Sequence, residues 1–144
     1  MRLDSFPGDT RHVMSQENVE RIRQAYAAFN RGDFDGVAEI LHPEIEWRPY
    51  LGAVEGAVYH GLDQIRGMWE SLEEGFGDSF QVEIRELVDW GEQVLIVLEA
   101  RARGPGSGIE VRKGWVQAAT MRDGLVYRVE PYPDLEAARE ALGR

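Results

Sequence analysis

Residues 109–132 read IEVRKGWVQAATMRDGLVYRVEPY. A long apolar-rich run from Ile109 to Met121, the group Arg122-Asp123-Gly124, and a second run from Leu125 to Tyr132 form the pattern of two antiparallel strands joined by a tight turn. Asp-Gly supplies the left-handed backbone that such a turn needs. A strand as long as Ile109–Met121 must twist and bend, so a sheet built on it curls around whatever covers it.

The same period extends upstream. Phe80, Val82 and Ile84 alternate with polar residues, and Val94 to Leu98 is a continuous apolar run, as expected of a strand covered on both faces. The Gly104–Gly108 stretch has the glycine content of a phosphate loop but lacks its lysine and joins two strands, so it reads as a hairpin loop. The second half is therefore four strands in hairpin connection.

The first half has a different period. Val19, Ile22, Tyr26 and Phe29 make one apolar stripe, predicting a helix that starts at a Ser15 cap and ends before Gly32. Asp33 caps a second helix carrying Phe34, Val37, Ile40 and Leu41, stopped at His42-Pro43. A short strand follows at Ile45–Pro49, then a glycine-bearing loop from Leu51 to Ala57. A third helix carries Leu62, Ile65, Trp69 and Leu72, with Gly75 as its stop, and Pro133-Asp134 opens a short final helix over Leu135 to Leu142. Helices first and hairpin-linked strands afterwards predict an α+β domain with a curved, mainly antiparallel sheet wrapped around three N-terminal helices.

At 144 residues, with 43% hydrophobic and 29% charged, one core with room for a pocket is expected. A net charge of -10 argues against nucleic acid and against an anionic membrane, because both recruit clustered Lys and Arg. With no cysteine, the chain has no disulfide, thiolate ligand or cysteine nucleophile. Met1–Val13 lacks an apolar run and periodicity, so it reads as a flexible arm ahead of a domain at 14–144, with Met14 as an alternative start and cytoplasmic residence as the default.

Tyr26-Ala-Ala-Phe-Asn-Arg-Gly-Asp33, Glu46-Trp-Arg-Pro49, Tyr59-His-Gly61, Arg122-Asp-Gly124 and Val129-Glu-Pro-Tyr132 resemble the SnoaL-like polyketide cyclase family. That family belongs to the nuclear-transport-factor-2-like superfamily, which also holds ketosteroid isomerases and limonene epoxide hydrolases. The resemblance implies a cone-shaped fold with one pocket between helices and sheet, frequently a homodimer through the outer sheet face, and no cofactor or metal. It does not bring the isomerase residues with it. The tyrosine position falls on Ala25, the base position on Arg48 and the second acid position on Val116. The hydrolase pattern is also missing: Glu99 and Arg101 stand in reversed order, and its last-strand acid falls on Pro131 beside Glu130.

Candidate binding residues are then aromatic and charged. Tyr26, Phe29, Trp47 and Trp69 are expected as an apolar pocket wall, with plain core packing as the alternative and Trp115 the weaker candidate. Arg48, Glu99 and Arg101 are expected as its polar groups; a surface ion pair at Glu99 is the alternative. His60 beside the third helix could act as an acid or base or simply be solvated, and His42 and His12 have no metal-ligand spacing. Arg128, Glu130 and Tyr132 alternate on the last strand toward an ion-paired outer face, with a polar pocket rim as the alternative.

Two functions follow. One is a cofactor-independent isomerase, cyclase or hydrolase using general acid-base catalysis on a small, largely apolar ligand. The other is a non-catalytic ligand-binding or dimerisation module on the same fold.

Overall fold

A computed structural model of the chain describes residues 7–50, 57–104 and 108–143. The expected loops at Leu51–Ala57 and Gly104–Gly108 lie largely outside the described residues, as do residues 1–6 of the expected arm. Helix α1 spans Pro7–Asn30, α2 Phe34–Ala38, α3 Gly61–Phe76 and α4 Leu135–Leu142. The strands are β1 Leu41–Trp47, β2 Tyr59–His60, β3 Gln81–Trp90, β4 Gln93–Arg103, β5 Glu110–Arg122 and β6 Leu125–Tyr132. They form one six-stranded sheet in the order β2-β1-β6-β5-β4-β3, antiparallel except where β1 runs parallel to β6. The α+β fold read from the sequence is the one observed.

Several boundaries differ from expectation. Helix α1 begins at Pro7 rather than at Ser15, and proline is well suited to a first helical turn because its missing N–H has no partner there. Helix α2 stops at Ala38, and His42-Pro43, expected to end it, already lies in β1. Proline fits there because the register of β1 on β6 skips between Leu41 and Glu46, so no ladder bond is asked of it. Helix α3 ends at Gly77, which takes φ of +61°, rather than at Gly75.

Alternation along the central strands sets two faces. Val94, Ile96, Leu98 and Ala100 of β4 join Trp115, Ala119 and Met121 of β5 in the main core, under Ile22 and Ala28 of α1 and Ile65 and Trp69 of α3. Leu95, Val116 and Ala118 point the other way and pack with Ala138 of α4. The outer face is thus covered at one end by α4, and toward the opposite end it carries Glu99, Arg101 and Arg112. Skips in register at Ile84/Glu86 and Thr120/Met121 bend the strands.

Two contacts fix α1 over the inner face. Asn30 donates through Nδ2 to Val82 O at 2.7 Å and accepts from Val82 N at 2.9 Å, pairing with edge strand β3 as a neighbouring strand would. Arg21 Nη1 donates to Gly124 O at 2.7 Å, in a turn where Asp123 and Gly124 have φ of 55° and 77°. Both values match the two-residue hairpin expected from Asp-Gly.

Candidate functional site

Between α1 and the inner face of the sheet lies a cavity of about 60 Å³. Tyr26 and Phe29 reach it from α1, Trp47 from β1, Ile96 from β4, and Gln117 from β5. Tyr26 and Phe29 share a helix face because they are three residues apart. Gln117 points in because the strand period places it with Trp115 and Ala119 on the covered side, where it is only 4% exposed.

Its polar content is one hydrogen-bonded pair. The Tyr26 hydroxyl donates to Gln117 Oε1. Although Tyr26 as a residue is only partly buried, its hydroxyl lies deep enough that burial pushes its ionisation well above the usual tyrosine range. It is therefore a neutral donor across physiological pH. Gln117 Nε2 has no hydrogen-bond partner among the described residues but is not fully enclosed, and the surface of the cavity itself is apolar. No carboxylate, imidazole or cationic group lines the cavity among the described residues.

A second cleft, of about 180 Å³, opens beyond Phe29 between the C-terminal ends of α1 and α3. Trp69 and Phe80 floor it, and Arg31, Glu73 and Gln81 rim it. Phe29 meets Trp69 edge-on with ring centroids 4.8 Å apart, and meets Phe80 at 5.9 Å.

Of the expected site residues, the structure brings together Tyr26, Phe29 and Trp47 around the inner cavity, with Trp69 one step outward. It does not bring Arg48, Glu99 or Arg101 there. Arg48 is exposed, and among the described residues its backbone N–H donates to Val129 O at 3.0 Å. Glu99 lies on the outer face because Leu98 and Ala100 on either side occupy the inner one; it accepts from Arg85 Nη2 at 2.9 Å and Arg112 Nη1 at 3.4 Å. Arg101 is exposed opposite Arg112 in the ladder and makes no ion pair with Glu99. The expected Glu99–Arg101 pair is therefore replaced by outer-face pairs between strands.

His60 and His42 are also elsewhere. His60 is exposed, and His42 accepts from Glu44 N at 3.0 Å. Trp115 stacks on Tyr50 at 5.5 Å outside the cavity lining, with its indole N–H buried and without a hydrogen-bond partner among the described residues. Among the described residues no cluster of three or more His, Asp or Glu is placed to hold a metal ion. The residue missed in the sequence is Gln117. Val116, on which the second-acid position falls, points outward against α4, whereas its neighbour Gln117 faces the cavity. One signal was present: Gln117 is the lone polar residue in the run Trp115–Ala119.

Comparison with known proteins gives a consistent picture. The SnoaL-like domain family matches residues 22–129. Bal32a from a soil-derived mobile gene cassette superposes with a TM-score of 0.73 at 22% identity, over 88% of this chain and 97% of that one. TerC, crystallised with polyporic acid, gives 0.71 at 25% identity over 89% and 99%. A protein from Jannaschia sp. CCS1 described as a SnoaL-like polyketide cyclase gives 0.71 at 21% identity over 97% and 96%. No curated protein matches the chain. No helix among the described residues is long and apolar enough to cross a membrane.

Proposed function

The chain belongs to the SnoaL-like domain family, and from that premise we propose that it binds a small, neutral, largely apolar carbonyl compound in the cavity between α1 and the sheet. The observation that carries this reading is an enclosed apolar space whose lining holds a phenol and an amide bonded to each other, Tyr26 and Gln117, and no charged group. A ligand carbonyl that reaches the Gln117 amide gains one hydrogen bond, worth about 0.5–1.5 kcal/mol net. Tyr26 holds the amide by donating to its oxygen, which aims the Nε2–H group at the ligand. Charged ligands fit poorly, since no opposite charge lines the space to offset their desolvation. TerC, crystallised with polyporic acid, is precedent for a small organic molecule on this fold.

Between the two functions expected from the sequence, this chemistry favours ligand binding with polarisation of a carbonyl. General acid-base catalysis needs a proton acceptor near the reacting carbon. Tyr26, held protonated by burial, is a donor and not that acceptor.

The test is calorimetric titration with acetophenone and with α-methylstyrene, which replaces the C=O by C=CH2 at nearly constant shape. The wild type should prefer the ketone by about tenfold, as expected of one satisfied hydrogen bond in a buried site. Gln117→Leu should abolish that preference. Equal affinity for both compounds in the wild type, or an unchanged preference in Gln117→Leu, would overturn the reading.

A further inference from the structure

The inner cavity and the outer cleft have one lining residue in common, Phe29. Along the chain the order is Ile22, Ala25 and Tyr26 on the inner cavity, then Phe29, then Asn30 and, just past the end of α1, Arg31 and Gly32 on the outer cleft. At 1.5 Å of rise per residue the two spaces follow each other along one helix, with a single aromatic ring between them. We infer that the Phe29 side chain is a movable partition, and that a bound ligand displaces it and spans both spaces.

Size makes displacement necessary. At about 60 Å³ the inner cavity is well below the roughly 150 Å³ that accommodates a benzene-sized ligand, whereas the two spaces joined exceed it. Phe29 is partly buried and held by edge contacts to Trp69 and Phe80, with no hydrogen bond to break. A helical phenylalanine has two accessible χ1 wells, so a rotamer change suffices without moving the backbone.

This inference rests on the carbonyl-binding reading and narrows its ligand class. The ligand is an aromatic ketone whose oxygen meets Gln117 and whose far end passes the position vacated by Phe29. It ends beside Arg31, Glu73 and Gln81, so that end carries a neutral hydrogen-bonding group such as a hydroxyl. Phe29 then sets both the length of ligand admitted and the ease of entry.

Xenon and two ketones test this on the full chain. Xenon fits the inner cavity with Phe29 in place, so under xenon pressure crystals of the wild type should show separate inner and outer sites. Crystals of Phe29→Ala should show one continuous site. Acetophenone should bind Phe29→Ala about tenfold tighter than wild type, and Phe29→Leu by a smaller factor, because displacement is no longer opposed. In the wild type, 4′-hydroxyacetophenone should bind at least as tightly as acetophenone, and the complex should show the Phe29 ring rotated. Ketone affinity that is unchanged or lower in both variants while xenon still occupies the inner cavity would overturn the partition. So would separate xenon sites in Phe29→Ala. Failure of acetophenone to bind any form, with continuous xenon density in Phe29→Ala, would sink the carbonyl-binding reading and leave the partition standing.

Discussion

Replacing Tyr26 by phenylalanine removes one oxygen and leaves Gln117 Oε1 without the hydroxyl that donates to it. At 4% exposure Gln117 cannot turn to water, so most of the desolvation penalty of an unsatisfied buried acceptor applies. The expected loss is about 1–3 kcal/mol, which for a chain of this size lowers Tm by about 2–4 °C per kcal/mol. Gln117→Leu alone strands the hydroxyl instead. That loss should fall in the same range, because the Tyr26 hydroxyl is itself deeply buried. The double variant Tyr26→Phe/Gln117→Leu replaces both partners by apolar groups and should cost less than the two single losses together, with a coupling of about 1–2 kcal/mol. Urea denaturation followed by tryptophan fluorescence measures all four forms. Additive losses, with no coupling, would refute the claim that the two groups form one buried unit.

Three further outcomes follow from the same geometry. Because burial raises the Tyr26 phenol, the folded chain holds that proton more tightly than the unfolded chain, where tyrosine ionises near about pH 10. Its contribution is full below that pH and declines as the pH rises further; Tyr26→Phe should flatten the alkaline fall in urea midpoint, and parallel alkaline profiles would contradict this. Asn30→Ala removes both bonds to Val82 and should cost about 1–3 kcal/mol in chemical denaturation; a loss within error of zero would show that α1 is not pinned there. Glu99→Gln weakens partly exposed pairs with Arg85 and Arg112, so stability should change by at most about 1 kcal/mol and ketone affinity not at all; altered ketone binding would place Glu99 in the site.

Much of the fold was legible because it rests on periodicity. Ile22 and Phe29 on one stripe, Val94–Leu98 as a doubly covered strand, and Arg122-Asp123-Gly124 as a hairpin turn are local signals, and each produced its element. Boundaries were less legible where two rules compete. His42-Pro43 reads as a helix stop, yet proline is equally at home where a parallel strand pairing skips residues, and only the position of β6 decides between them. Tyr26 and Phe29 were legible at helical spacing as residues of one face of α1, and both line the cavity. The polar group was not. Counting back from the hairpin put Val116 at the key position of β5, and an error of one residue in a strand exchanges one face for the other. The same alternation put Glu99 outside: Leu98 and Ala100 claim the inner face, which a search for charged pairs overlooks.

The carbonyl stretch of bound, 13C-labelled acetophenone reports directly on the central claim, since it shifts to lower frequency when the oxygen accepts a hydrogen bond. In the wild type the band should lie below its position in an apolar solvent. In Gln117→Leu it should return to that position while the ligand stays bound, because the apolar wall of Trp47 and Ile96 is intact. A bound ketone whose band is the same in both proteins would contradict the account.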